Sequence, residues 1–452
     1  MSIASGSRRV PPGPSRASAL TLLMSMGRDR LGMMVSAAAR YGDAVRLPVG
    51  PKELYFFNHP DYAKHVLADN SANYHKGIGL VHARRALGDG LLTSEGELWR
   101  KQRKVIQPAF QSRRIAGQAE IVADEAVKLV DRLRARAGNT PVDLFDEMTG
   151  LTLGVLGRTL LDTDIGRFAS IGGDFAAVQD QAMFELATLS AVPAWIPLPG
   201  QLRFRRAKRR LQTTVDQLVA ERSRHPEAGD DVLSRLILSA GQEPDASVGR
   251  QRLRDELVTL LLAGHETTAA TLSWTLYLID RHPDVLQRMR QEALSVLGDR
   301  RPTFADLPEL RYTAMVVDEV LRMYPPVWIL PRRALAADTI GGYDVPAGAD
   351  VLICPYTLHR HPDLWDAPEI FDPERFDPER AAGRPRYAYI PFGAGPRFCV
   401  GNHLGLMEAV FVLVTLVREL RLRRVSESEV IPEPKLSLRM RGGLPMLISP
   451  LS

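Results

Sequence analysis

Cys399 is one of only two cysteines in 452 residues, and it stands where a thiol could do chemistry. The stretch Tyr389-Ile390-Pro391-Phe392-Gly393-Ala394-Gly395-Pro396-Arg397-Phe398-Cys399-Val400-Gly401 is rich in glycine and proline and reads as a loop. A helical pattern follows it from Asn402 to Val410. Amide N–H groups at a helix N-terminus stabilise a thiolate. A thiolate is a strong axial donor to haem iron and favours O–O cleavage. Gly393 and Gly395 permit conformations and close approaches that a Cβ would block. Arg397 adds positive charge beside the sulfur or a bound acid group. The loop by itself fits a buried cysteine in a tight turn equally well.

Other residues ask for a reason of their own. The pattern from Leu253 to Arg281 predicts one long helix, roughly 40 Å at 1.5 Å per residue. Its centre sets Glu266, Thr267 and Thr268 among apolar residues. Gly264 costs about 1 kcal/mol relative to alanine there, and the threonines compete for backbone carbonyls. An acid and an alcohol inside an apolar helix suit the delivery of protons to oxygen, although Glu266 on an exposed face would mean nothing. Trp99 and Arg103 share one face of a helix predicted to open at Trp99. An indole N–H and a guanidinium pointing one way suit a carboxylate. Glu319 and Arg322 share a face of a helix predicted over Pro308–Tyr324, which at a surface would be worth less than about 1 kcal/mol.

Taken in order, these pieces resemble the cytochrome P450 family. The motifs are Trp99-x-x-x-Arg103, Ala263-Gly264-x-Glu266-Thr267-Thr268, Glu319-x-x-Arg322, Pro373-Glu374-Arg375-Phe376 and the Cys399 loop, and they span nearly the whole chain. The resemblance implies a mainly α fold with small β-sheets, and a haem b buried between the long central helix and the Cys-loop helix. It makes Cys399 the axial thiolate and puts Trp99, Arg103, Arg333 and Arg397 on the haem propionates, with Arg332 as the alternative to Arg333. It sets Phe392, Gly393, Ala263 and Gly264 around the cofactor and gives proton handling to Thr267 and Glu266. Glu319, Arg322 and Arg375 become a buried ion network; Arg380, in the second copy Asp377-Pro378-Glu379-Arg380, is the alternative third member. His265 is disfavoured as an axial ligand, because the matching family position is variable.

The same resemblance draws the pocket wall from Ile78, Leu80, Leu91, Leu92, Phe184, Val327, Ile329, Leu330 and Leu444. Phe184, Leu186, Leu189 and Trp195 surround a loop that roofs it. Each of these could equally be ordinary packing. Cys354 reads as a core residue, His359 as a structural hydrogen-bonder or a neighbour of the haem edge, and His361 departs from the usual His-Arg-Asp-Pro. Residues 70–92 read as mostly loop.

Composition narrows the setting. The chain is 45% hydrophobic and 25% charged, as globular proteins are, and its net charge of +5 implies no nucleic-acid partner. Two cysteines without Cys-x-x-Cys argue against structural zinc and for a reducing, cytoplasmic setting. The apolar piece Ala19–Met26 falls far short of the ~20 residues needed to cross a bilayer. The expectation is a single domain over residues 1–452, with a flexible leader at 1–18, no membrane anchor, no fused reductase and a monomeric state.

By resemblance, electrons come from NAD(P)H through a separate acidic ferredoxin and its reductase. Arg100, Lys101 and Lys104 are either a solvated face or a docking patch for that donor. The reaction expected is insertion of one oxygen atom into a C–H bond of a small hydrophobic substrate. The run Val327–Ala334 with Gly341-Gly342-Tyr343 is similar to bacterial terpene hydroxylases, so a cyclic terpenoid comes first, and a fatty acid or polyketide second. A peroxide-driven or isomerising haem-thiolate enzyme and a non-enzymatic haem protein are the rival classes.

Overall fold

Apolar residues at helical spacing dominate the chain, and helices carry most of its structure. The computed structural model describes residues 9–165, 171–188, 192–193, 195–224 and 231–451. The elements that bear on the site begin with α1 (Ala19–Arg28), α2 (Arg30–Tyr41), β1 (Ala44–Val49), β2 (Lys52–Phe57) and β3 (Tyr74–Lys76). Then come α3 (Leu80–Leu87), α4 (Gly96–Ile106), α5 (Leu144–Leu160), α6 (Ile171–Ala187) and α7 (Ala246–Arg281). The last are α8 (Arg311–Met323), β4 (Leu330–Ala334), β5 (Asp350–Ile353), α9 (Asn402–Glu419), β6 (Pro432–Pro434) and β7 (Leu438–Met440).

Helix α7 is the axis. Its second half is buried on every side, with Ala269, Ala270, Leu272 and Trp274 fully enclosed, as expected of a helix that is apolar all round. It begins at Ala246, ahead of the expected Leu253, because the Asp245 side chain caps it by accepting the Ser247 N–H at 2.7 Å. That polar first turn breaks the apolar period and hides the start from a pattern reading. Helix α5 lies against α7 where Gly264 makes room: a Cβ there would fall inside Leu156. Helix α9 is likewise enclosed from Met407 to Val417.

The larger sheet runs β1-β2-β5-β4-β3, antiparallel throughout except for the parallel β2–β5 pair. Its register decides a question of chemistry. Lys76 pairs with Arg332 across β3 and β4, while Arg333 pairs with Asp350 across β4 and β5. Side chains alternate between faces along a strand, so Arg332 and Arg333 point to opposite sides.

Two expectations need correction. Residues 70–92 are not mostly loop: β3 and α3 form there. Gly79 and Gly88 bound α3 with φ of 93° and 79°, and its polar His82, Arg84 and Arg85 conceal the helical period. The leader is not free from Arg9 onward. Arg9 and Asp344 exchange bonds, and Pro12 O accepts the Arg46 N–H at 2.8 Å. Residues 1–8 and Leu189 lie outside the described residues, as does the side chain of Leu186. Trp195 is three-quarters exposed. Among the described residues, no helix is long and apolar enough to cross a membrane.

Candidate active site

The Cys399 loop is held from behind. Gly393 and Gly395 take φ of 72° and 66°, and a Cβ on Gly395 would strike the Leu67 carbonyl. The Cys399 N–H donates to Phe392 O at 3.0 Å, closing the turn. At the start of the loop, His359 Nε2 accepts the Ile390 N–H at 2.9 Å. Burial and the neighbouring Arg322 charge pull the His359 pKa down to about 3, so the ring stays neutral and can accept. Tyr389 donates to Asp318 Oδ1 at 2.9 Å.

Beneath the loop, Arg322 donates to both oxygens of Glu319 at 2.7 and 2.8 Å, and both side chains are fully enclosed. Arg322 also reaches the carbonyls of His359 and Pro368. Arg375 is brought to Glu319 at 3.4 Å, whereas Arg380 turns outward to Asp372. His361 uses Nδ1 to accept the Asp363 N–H and Nε2 to reach Asp43 at 2.9 Å. Cys354 is enclosed against Trp328 O.

The Cys399 side chain is accessible although it lies deep in the protein. That depth pushes its thiol pKa up, against the Gly401 and Asn402 amides and the Arg103 charge. Arg103 donates to Phe398 O at 2.8 Å, beside the sulfur. The Arg397 guanidinium lies 4.1 Å from the Trp99 ring centre and donates to Ser94 O and Glu95. Trp99, Arg103 and Arg397 therefore stand together at the loop.

Arg333 does not join them. Its guanidinium is bound to both oxygens of Asp350, at 2.9 and 3.0 Å, on the far face of the sheet. Arg332 faces inward, 6% exposed, and its guanidinium donates to its neighbour's carbonyl, Pro331 O. Burial, then the Arg397 charge, lower its pKa to about 10. Beside it lies Lys76, which sequence reasoning missed. Burial, then Arg332 and Arg397, hold its ammonium well below the usual lysine range. Glu95 is a carboxylate set against all three of these basic groups. Strand alternation would have found Lys76 had the β3–β4 pairing been known.

Above the loop an internal cavity of about 230 Å³ is lined by Ile78, Leu80, Leu92, Val327, Ile329 and Leu330. Leu91, Phe184 and Leu444 are not part of its wall. The Leu91 N–H is bound to Glu256 of α7. Met183, not Phe184, is the α6 residue turned inward beside Ala182. Leu444 is fixed in the core, its N–H on Asp143 and its carbonyl on the Leu144 N–H. The turn that does enter the wall is Lys435–Ser437, between β6 and β7.

Glu266 is buried, not on an outer face, and it lines this cavity. It accepts from Ser437 Oγ at 2.7 Å and from Gln179, with Arg439 at 3.5 Å. Thr267 donates to Ala263 O at 2.9 Å. It also lines a second cavity of about 40 Å³, between α7 and α9, with Phe392 and Gly405. Gly264 is a packing residue turned towards Leu156, while Ala263 is open to the cavity. The His265 ring lies 5.1 Å from Phe175 and bonds Leu261 O, on the other face of α7.

A further acid, Glu256, ties the 88–92 loop to α7. Burial pushes its pKa up to about 8. Asp255 takes the Asp89 N–H at 2.8 Å, next to it.

These residues fit a haem. A deep, accessible thiol stands beside Arg103, and the basic cluster of Lys76, Arg332 and Arg397 suits acidic groups. The family model described as Cytochrome P450 matches residues 11–447. Cyclooctatin synthase of Streptomyces melanosporofaciens is 36% identical over 445 residues, covering 98% of this chain and 95% of that one. Cyclooctat-9-en-7-ol 5-monooxygenase of the same organism is 36% identical over 438 residues, covering 94% and 92%. Pentalenene oxygenase of Streptomyces avermitilis is 31% identical over 415 residues, covering 90% of each.

Proposed function

This chain belongs to the cytochrome P450 family and is a monooxygenase, and from that premise we propose that it hydroxylates a cyclic terpenoid. The observation that carries the proposal is the apolar cavity with Glu266 and Thr267 set into one wall. An apolar wall takes a hydrocarbon skeleton, and an acid–alcohol pair at that wall hands protons to oxygen. The names of three similar Streptomyces proteins, cyclooctatin synthase, cyclooctat-9-en-7-ol 5-monooxygenase and pentalenene oxygenase, support the choice of substrate class.

Cys399 would hold the haem by its thiolate, and Arg332, Lys76, Arg397, Arg103 and Trp99 would hold its propionates. When bound, the haem supplies oxygen activation and transfer. The chain's own part is to exclude water and move protons. Ser437 and Gln179 hold Glu266 in place, and Thr267, hinged on Ala263 O, carries the hydroxyl. Electrons originate in NAD(P)H and arrive through a reductase and an acidic ferredoxin. The exposed Arg100 and Lys104 on α4 offer it a docking face; Lys101 is committed to Glu243. The enzyme works as a cytoplasmic monomer.

The test is a spin-shift titration against cyclic terpenes, fatty acids and macrolides, followed by turnover with ferredoxin, reductase and NADPH. Terpenoids alone should shift the haem and yield hydroxylated product. A shift with fatty acids or macrolides instead overturns the substrate, and equal turnover with peroxide overturns the role of Glu266 and Thr267. Cys399→Ser should abolish the thiolate signature of the reduced, CO-bound protein.

A further inference from the structure

The large cavity is walled by two kinds of apolar side chain. Towards the Cys399 loop the wall is stiff. Ile78 follows Lys76 by two residues, Val327 and Ile329 lead into β4 and its Arg332, and Thr267 stands next to Glu266. All four are β-branched, and branching at Cβ leaves a side chain few rotamers. The rest of the wall has a different composition. Helices α1 and α2 supply Met26, Met33 and Met34, and α6 supplies Met183. Four of the chain's 13 methionines therefore line this one cavity. Methionine is unbranched and polarizable, so it fills an irregular gap and refits when the gap changes shape.

Ordinary core packing accounts for only part of this. Met26 and Met34 belong to the core of α1, α2 and the larger sheet, with Leu54 and Leu352. Met33 and Met183 are half-buried, on helices that come from distant parts of the chain. The β6–β7 turn joins the two kinds of wall. Arg30, between Met26 and Met33 in sequence, donates to Pro434 O at 3.0 Å, and Ser437 Oγ donates to Glu266 at 2.7 Å. Three residues of chain reach at most ~11 Å, so one polycyclic ligand spans from the acid to the methionines.

We propose that the four methionines are an adjustable specificity surface. The stiff wall fixes the carbon to be oxidised, and the methionines refit around the remainder of the skeleton, as methionine-rich surfaces do in proteins that bind several partners. The proposal rests on the terpenoid reading above and deepens it: the substrate is a class of cyclic terpenoids of more than one carbon number, each oxidised at one position.

Binding to the holoenzyme, read by haem spin shift, tests this together with product analysis after turnover. The probes are one tricyclic sesquiterpene and one tricyclic diterpene. The wild-type enzyme should bind both, with Kd values within about tenfold of each other, and give one main product from each. The double variant Met33→Ile, Met183→Ile keeps the walls apolar and makes them stiff. It should hold one skeleton within about twofold and lose at least about tenfold on the other, the scale on which a misfitting apolar group is rejected. Met33→Leu with Met183→Leu, without branching at Cβ, should keep more of the range. A wild-type enzyme that binds only one of the two skeletons overturns the adjustable surface without any variant, and leaves the terpenoid reading standing. Isoleucine variants that bind both skeletons as the wild type does, or that lose both equally, overturn the role of the methionines. Several products from each skeleton overturn the role of the stiff wall. If neither probe nor any other terpenoid shifts the haem, the terpenoid reading itself falls and takes this one with it.

Discussion

The floor beneath Cys399 and the cavity above it are built on opposite plans. Under the cysteine, Glu319 and Arg322 satisfy each other, and the surplus donors of Arg322 go to backbone carbonyls. Every partner there belongs to the protein. Beside the cavity, Lys76, Arg332 and Arg397 crowd like charges together around Glu95. The paired Glu319 and Arg322 fix one geometry, and a cluster of like charges favours an acidic ligand. The contrast separates residues that hold the thiol in place from residues that select what sits before it.

Removing one partner below the cysteine should have the largest effect. Glu319→Gln strands the Arg322 charge in a fully buried site, which costs about 3–5 kcal/mol. Chemical denaturation and haem content should both register the loss; a variant of wild-type stability would mean that the floor is not a network at all.

Glu256 tests the boundary between the two plans, because it fastens the 88–92 loop to α7. Unfolded, the carboxyl ionises near 4.5; folded, only near 8. Below pH 4.5 both states keep the proton. As the pH rises towards 8 only the unfolded state releases it, so the folded state loses stability. The loss reaches at most about 3 kcal/mol by pH 7. Glu256→Gln should remove this slope, and thermal melts from pH 5 to 8 would show whether it does.

Above the cysteine, Glu266→Gln should slow product formation about 100-fold, near the low end for a lost general acid. The substrate-induced spin shift should stay intact. A variant that loses the shift as well would make Glu266 a substrate ligand.

The smallest effect expected is a contrast within one strand. Arg332→Met should weaken haem retention about tenfold, the equivalent of ~1.4 kcal/mol. Arg333→Met should act on the sheet through Asp350 and leave haem retention unchanged. Haem transfer to apomyoglobin measures both, and a larger loss from Arg333→Met would reverse the assignment.

What could be read from the sequence follows the same division. The floor is written in short local motifs: Glu319 and Arg322 lie one helical turn apart, and the Cys399 loop is continuous in sequence. Their spacing survives folding unchanged. The cavity is assembled from distant pieces whose pairing no spacing reveals. Arg332 and Arg333 are equivalent until the register with Lys76 and Asp350 is known. Leu444 lies on a glycine turn that resembles a pocket edge, yet Gly443 packs tightly on Asp143, and the wall is made by Leu436 and Ser437 instead. Gly264 stood out for its position in the helix, and only the approach of Leu156 shows that it answers to packing.

The β6–β7 turn has one more consequence. It is gripped at one end by Arg30 and at the other by Glu266, with the Trp328 and Trp274 indoles donating to its Lys435 and Leu438 carbonyls. For anyone redesigning this enzyme, the turn is a single handle on two properties. A swap made there to admit a bulkier ligand also shifts the support of the acid, so substrate range and the fraction of electrons spent on product cannot be tuned independently through it.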